Sequence, residues 1–211
     1  MDKYTAAKQI AERSSFITRN YKTSNLPWLW FRVLRPLLKG YNRLWRMMKG
    51  QVPWTSPASI LIFDKILDKT MSGFEYGSGR STLFFAKKLK DLVSVEHDEG
   101  WYNLVSDQVR ALNNVEYLLI KPSIQNDITD YSDYADIIKK YNDNSFDFIL
   151  VDGRWRVTCI KNAIPKLRSG GILVLDNSER EAYKEVFDLL RNWKKVNTTT
   201  GLTDTTLWFK P

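Results

Sequence analysis

From residue 72 onward the chain alternates short apolar runs with amphipathic stretches, and this alternation limits its fold more than any other feature. The runs near 72–76, 92–96, 115–120, 146–151 and 171–175 have the length and the β-branched or aromatic content of strands. The stretches near 81–90, 99–112, 132–142, 157–168 and 179–193 carry helical spacing. Repeated strand–helix–strand units of this kind predict a parallel sheet. The tail, "KKVNTTTGLTDTTLWFKP", has Thr-rich and aromatic runs about a turn at Gly201 and Asp204, which predicts a closing hairpin and one antiparallel strand. The expected class is therefore α/β: a doubly wound, mostly parallel seven-stranded sheet with an antiparallel C-terminal strand.

Upstream, "TSPASILIFDKIL" offers Ser56 as an N-cap and Pro57 as a first-turn residue. We read 56–211 as the α/β domain and 1–55 as a helical extension, with helices over 4–20 and 28–48 and the second interrupted at Pro36 and Gly40. The chain's 211 residues are enough to bury a large core. A lone Cys159 excludes an internal disulfide framework and reads as a buried helical thiol, which fits a reducing compartment. No run of about eighteen uncharged apolar residues occurs, and the start lacks the layout of a signal peptide. The expectation is a cytoplasmic protein, with peripheral association at the inner face of a membrane left open.

The opening of the domain carries the most chemistry. In "FEYGSGRSTLFFAKKLKDLVSVEHD", the first strand delivers Glu75, the backbone turns at Gly77 and Gly79, and a helix begins near Ser81. Glycines let a ligand approach the main chain, and a helix N-terminus offers unpaired N–H groups. The second strand ends at Glu96, where a carboxylate can accept hydrogen bonds from a ribose diol. A dinucleotide suits the stretch less well, because Thr82 stands where the third glycine of G-x-G-x-x-G belongs and Glu75 would repel a pyrophosphate. An acid beside the glycines suits a ligand bearing an ammonium group.

These residues resemble the class I S-adenosylmethionine-dependent methyltransferases, over roughly Ser56 to Pro211. The resemblance implies a Rossmann-like fold with S-adenosyl-L-methionine as cofactor. It implies Glu75, Gly77 and Gly79 around the methionine part, with Ser78 and Ser81 as further cofactor-binding candidates in the same loop and helix start. It also implies Glu96 at the ribose and His97 against the adenine, although a lone His is often only a polar surface or core residue.

In the second half, "SFDFILVDGRWR" ends a strand at Asp152 and "GGILVLDNSER" ends the next at Asp176 and Asn177. Adjacent central strands of an open α/β sheet present their carboxyl ends to one crevice. Two carboxylates and an amide suit Mg²⁺ or another divalent cation. The arrangement is similar to that of metal-dependent O-methyltransferases of the catechol, caffeoyl-coenzyme-A and sugar types, which implies transfer to a hydroxyl made more acidic by the metal. Trp155 stands where the catechol enzymes have a lysine base. The other reading makes Asp152 part of a D-G turn and Asp176-Asn177 a helix cap. Arg154 and Arg156 either bind an anionic acceptor or begin a solvated helix. Catalytic candidates are thus Asp152, Arg154 and Asp176. No G-x-S-x-G occurs, and "VDGRW" is not the Asn/Asp-Pro-Pro-aromatic run expected of an exocyclic-amine methyltransferase.

The net charge of +8 resides in the N-terminal segment: residues 1–50 hold eleven Lys and Arg against Asp2 and Glu12, whereas 51–211 hold 21 against 22 acids. In "PWLWFRVLRPLLKGYNRLWRMMKG", Trp30, Leu34, Leu37, Tyr41, Trp45 and Met48 share one helical face and Arg32, Arg35, Lys39, Arg43 and Arg46 the opposite one. Residues 28–48 thus read as a lid or homo-oligomer contact, as an interfacial helix on anionic lipid, or, less favoured, as a basic patch for nucleic acid. The function these features imply is methyl transfer to a hydroxyl of a small-molecule or glycan acceptor. The alternatives are a metal-independent methyltransferase on a protein or RNA, and a non-catalytic cofactor-fold module docked by its N-terminal helices.

Overall fold

The apolar runs become strands because both faces of the central sheet are covered. The structure, a computed structural model, describes residues 1–13, 28–125 and 127–211. The strands are β1 (Ser72–Tyr76), β2 (Asp91–Glu96), β3 (Val115–Leu119), β6 (Phe146–Val151), β7 (Leu167–Asp176), β8 (Lys194–Thr199) and β9 (Asp204–Phe209), with a small separate hairpin of β4 (Ser123–Gln125) and β5 (Ile128–Asp130). Their order in the main sheet is β3-β2-β1-β6-β7-β9-β8, parallel except for β9, which runs antiparallel to both neighbours. The sheet therefore has the expected seven strands and one reversed strand. Because the order reverses between β1 and β6, the loops after these two strands diverge and leave a crevice at their carboxyl ends.

The helices are α1 (Lys3–Arg13), α2 (Trp28–Lys49), α3 (Pro57–Ile66), α4 (Arg80–Lys88), α5 (Glu99–Val109), α6 (Ser132–Asp136), α7 (Arg156–Lys166) and α8 (Lys184–Leu189). Ser56 caps α3 as expected, its hydroxyl accepting from the Ser59 N–H at 3.1 Å, with Pro57 in the first turn. On one face of the sheet α3 and α4 bury Ile62, Phe63 and Phe85 against Phe148, Phe63 meeting Phe148 edge-on at 5.7 Å. On the other face α6 and α7 bury Tyr134, Cys159 and Ile160 against Tyr76 and Ile149. Cys159 is the buried thiol expected.

Several boundaries move. Residues 14–20 of the first expected helix lie outside the described residues, and α1 belongs to the core layer, with Ala6 and Ala7 buried and Tyr4 edge-on to Phe209 at 5.5 Å. Helix α2 runs through Pro36 and Gly40 as one element. Helix α7 stops one residue after Pro165, and β7 begins at Leu167 rather than near 171, paired with Phe146 across an irregular register. The expected helix at 179–193 shortens to α8, and the β4–β5 hairpin was not predicted. Its short strands pair only with each other, so apolar alternation has little length in which to appear.

Candidate active site

The β1–α4 turn is locked by side chains as much as by glycine. Gly77 has φ 90° and Gly79 φ 157°, both outside the range comfortable for L side chains. A Cβ on Gly77 would come within 2.9 Å of the Gly153 N, so the loops after β1 and β6 meet backbone to backbone. Thr82 holds this turn in place: its hydroxyl accepts from the Gly79 N–H at 3.0 Å and donates to Glu75 Oε2 at 2.7 Å. The Ser94 hydroxyl donates to the same oxygen at 2.8 Å, while Oε1 of Glu75 is buried with no partner. Burial pushes the Glu75 carboxyl up to about 7. Glu75 is fully buried beneath the turn and is not among the residues that line the crevice. It lies under the glycine turn because it extends from β1 between α4 and β2, where hydroxyls reach it first.

Glu96 faces the crevice as expected. Its Oε2 accepts from the Ser78 N–H (3.0 Å) and hydroxyl (2.9 Å), and its Oε1 from the N–H groups of His97 (2.7 Å) and Asp98 (3.0 Å). Burial alone would raise this carboxyl, but donors from His97, Asp98 and Ser78 hold it at about 2, so it is an ionised acceptor at any ordinary pH. His97 Nδ1 lies 2.8 Å from Glu96 Oε1, and its ring is edge-on to Tyr131 at 5.5 Å. Trp101 forms the floor beside Gly79, its indole N–H donating to the Ser78 carbonyl at 2.8 Å.

On the opposite wall the decisive side chain is Arg156. It is only 7% exposed, and its guanidinium donates to the carbonyls of Gly153 (3.0 Å), Asp152 (2.8 Å) and Asp176 and to Asp152 Oδ1 (2.8 Å). Arg156 thus ties the ends of β6 and β7 together with four of its five N–H groups; it is buried rather than a solvated helix start, and it also lines the crevice. Burial raises the Asp152 carboxyl, an effect that Arg156 opposes. Among the described residues nothing donates to Asp152 Oδ2. Asp176 is buried, accepts from the Thr205 hydroxyl at 2.6 Å, and is pushed well up by burial and by Asp152. Asn177 adopts φ 51°, and its Oδ1 accepts from Arg180 at 3.0 Å.

The expected metal ligands Asp152, Asp176 and Asn177 therefore share one region, but their arrangement does not fit a hard cation. A guanidinium bridges the two strand ends, Asp176 and Asn177 do not line the crevice, and Asp176 Oδ1 and Asn177 Oδ1 already accept from Thr205 and Arg180. Among the described residues no group of three His, Cys, Asp or Glu is placed to hold a metal. Of the expected residues, Gly77, Ser78, Glu96, His97, Asp152, Arg154 and Arg156 line the crevice, whereas Gly79 and Ser81 do not.

The crevice has a volume of about 980 Å³. Its residues unforeseen in the sequence are Trp101, Tyr131, Arg180 and Tyr183, with Trp155 completing the aromatic wall. Trp155 sits at φ 46°, a left-handed conformation costly for a bulky residue, and it is 44% exposed at the start of α7. None of these stands in a motif; only their aromatic or cationic character near strand ends could have singled them out.

This strand order, with a glycine turn after β1 and an ionised carboxylate ending β2, defines an α/β fold that binds a nucleoside-containing cofactor at its switch point. Residues 74–178, from within β1 to just past β7, match the family model of a methyltransferase domain. The chain belongs to the class I S-adenosylmethionine-dependent methyltransferases. No curated protein sequence matches it. Among solved structures it is similar to a methyltransferase-like protein from Silicibacter pomeroyi at 22% identity (76% of this chain, 89% of that one, TM-score 0.57). An rRNA methylase from Streptococcus thermophilus is similar at 12% identity (75% and 98%, TM-score 0.56). A Streptococcus mutans protein classed as a methyltransferase and solved in complex with SAH is similar at 14% (71% and 93%, TM-score 0.54). Likeness at these identities concerns the fold.

Proposed function

We propose that the protein methylates a hydroxyl group on a small-molecule or glycan acceptor that carries a negative charge, without a metal. The observation that carries this reading is the wall opposite Glu96, where Arg154 and Arg180 are exposed beside Asp152 and ringed by Trp155, Tyr131 and Tyr183. When bound, S-adenosyl-L-methionine supplies an electrophilic methyl on a sulfonium. Glu96 accepts hydrogen bonds from its ribose hydroxyls, the Gly77–Gly79 turn admits its methionine part to the backbone, and His97 and Trp101 flank its ring system. Glu75 is the positioning residue for that turn.

Asp152 is the proton acceptor. Arg156 fixes its Oδ1, so Oδ2 is the oxygen presented to an acceptor hydroxyl, and burial raises its basicity above that of a surface aspartate. As the new C–O bond forms at the expense of the methyl–sulfur bond, the hydroxyl proton passes to Oδ2, and S-adenosylhomocysteine is left. Arg154 and Arg180 pair with a carboxylate or phosphate of the acceptor, which a guanidinium can grip with two parallel bonds. The aromatic wall excludes water from the reacting atoms.

The test is a screen of hydroxylated acceptors, neutral and anionic, with purified protein and labelled cofactor in excess chelator. Methylation confined to anionic acceptors, with Arg154→Ala raising KM roughly tenfold or more by loss of a charged hydrogen bond, supports the proposal. Activity that disappears in chelator and returns with Mg²⁺ restores the metal to Asp152 and Asp176. Methylation of protein or RNA alone sinks the small-acceptor reading.

A further inference from the structure

Helix α2 presents to solvent a face that nothing among the described residues covers. Trp30, Val33, Leu37, Tyr41, Leu44 and Met48 recur at steps of three and four residues and are 44–80% exposed. The helix is held by another face: Asn42 is buried and donates to the Thr200 carbonyl at 2.9 Å, Arg46 donates to the carbonyls of Trp54 and Thr55, and Trp45 packs on the core. The expected stripe is thus rotated. Leu34 and Trp45 turn inward, while Val33 and Leu44 join the outer face.

The charge on this helix identifies what covers it. Arg32, Arg35, Lys39, Arg43, Arg46 and Lys49 lie along its 22 residues, which include no acid. The stripe and the cations occupy opposite sides of the helix, with Arg46 turned back onto Trp54 and Thr55, the distribution of a helix that lies in a lipid–water interface. An anionic lipid surface accepts the apolar stripe among its acyl chains and neutralises the cations at its headgroups. No helix among the described residues is long and apolar enough to cross a membrane. We propose that α2 lies in the plane of an anionic bilayer and docks the enzyme there by its Trp30–Met48 face.

The attachment of α2 also sets the enzyme's orientation. Thr200 lies in the turn between β8 and β9, and Thr205, at the start of β9, holds Asp176 at the end of β7. The docking helix is therefore tied to the same carboxyl end of the sheet that carries Asp152 and the crevice, so docking brings that end toward the lipid.

The experiment is flotation of the full chain with vesicles of phosphatidylcholine alone or with a third phosphatidylglycerol, without cofactor or acceptor, so that its outcome is independent of the proposed reaction. Each cation near the surface contributes about fivefold to partitioning, so the anionic vesicles should bind at least roughly tenfold more protein, less so in 0.5 M salt. Leu37→Glu with Leu44→Glu should abolish binding, and Lys39→Glu with Arg43→Glu should weaken it roughly tenfold or more. Circular dichroism and the melting temperature should be unchanged, because all four side chains are exposed. Absence of binding at low salt overturns the proposal, as does equal binding by the Leu37/Leu44 variant. A dimer in plain buffer that this variant splits into monomers would also overturn it, making the stripe a self-interface. Capture by RNA in preference to vesicles would transfer the helix to a nucleic-acid partner.

Discussion

Thr82 and Glu75 share a 2.7 Å hydrogen bond beneath the glycine turn, and the same threonine hydroxyl receives the Gly79 N–H. The residue that departs from a dinucleotide fingerprint is therefore the one that shapes this loop. Thr82→Ala should remove a donor from Glu75 and leave the Gly79 N–H without its acceptor. Loss of these buried bonds should cost about 1–3 kcal/mol of stability and loosen cofactor binding, read by chemical denaturation and calorimetry. Thr82→Ser should restore most of both.

Glu75 also sets a pH dependence. Its carboxyl is raised from 4.5 to about 7 in the fold, so the folded state binds its proton more tightly than the unfolded chain does. The associated stability is fully present below pH 4.5 and is lost as pH rises through about 7, a change on the order of 2–4 kcal/mol. Denaturation midpoints of the wild type should fall between pH 5 and 8, and those of Glu75→Gln should change less. Equal pH slopes in the two proteins would show that Glu75 does not titrate there.

Glu96 behaves in the opposite sense. Held at about 2, it contributes stability that is present above its unfolded pKa of 4.5 and is lost as pH falls toward 2. Glu96→Ala should weaken S-adenosylmethionine binding by roughly 1–3 kcal/mol, because ribose hydroxyls would enter a buried site without an acceptor. Unchanged affinity by calorimetry would remove Glu96 from the cofactor site.

Arg156 joins the carboxyl ends of β6 and β7, so its removal should affect stability and chemistry together. Arg156→Met would leave Asp152 unpaired and three carbonyls without their donor, costing about 3–5 kcal/mol. Arg156→Lys cannot reach all four acceptors and should fold with reduced kcat. In the lysine variant the pH–rate profile should shift upward, because a weaker cation lets the Asp152 carboxyl rise further.

Gly153→Ala tests the contact between the two loops. Its Cβ would collide with the Tyr134 hydroxyl, which is buried and has no hydrogen-bond partner. The substitution should lower the melting temperature by several degrees, at an overpacking cost of about 1–3 kcal/mol. Pairing it with Tyr134→Phe, which removes the colliding oxygen, should recover much of the loss.

The strands of the main sheet, the antiparallel closing strand, the Ser56 cap and the position of Glu96 were all legible in the sequence, because each depends on neighbours a few residues away. Apolar alternation and capping are local, and a strand end followed by glycines marks a crevice wherever the sheet order reverses. Partner choice is not local. Glu75 and Asp176 are acids at strand ends in the sequence, but Thr82 and Ser94 occupy the first and Thr205, 29 residues away, the second. Arg154 and Arg156 read alike in the sequence, as acceptor-binding or solvated cations, yet the chain passes through the left-handed turn at Trp155 into α7, which leaves Arg154 exposed and turns Arg156 inward. The amphipathic pattern of α2 was evident, but the face it exposes was decided by Asn42 reaching Thr200. Sequence periodicity thus determined which elements form and in what order. Only the tertiary structure decided which polar groups satisfy one another and which remain for a ligand, because a buried charge takes the partner that packing brings within about 3 Å.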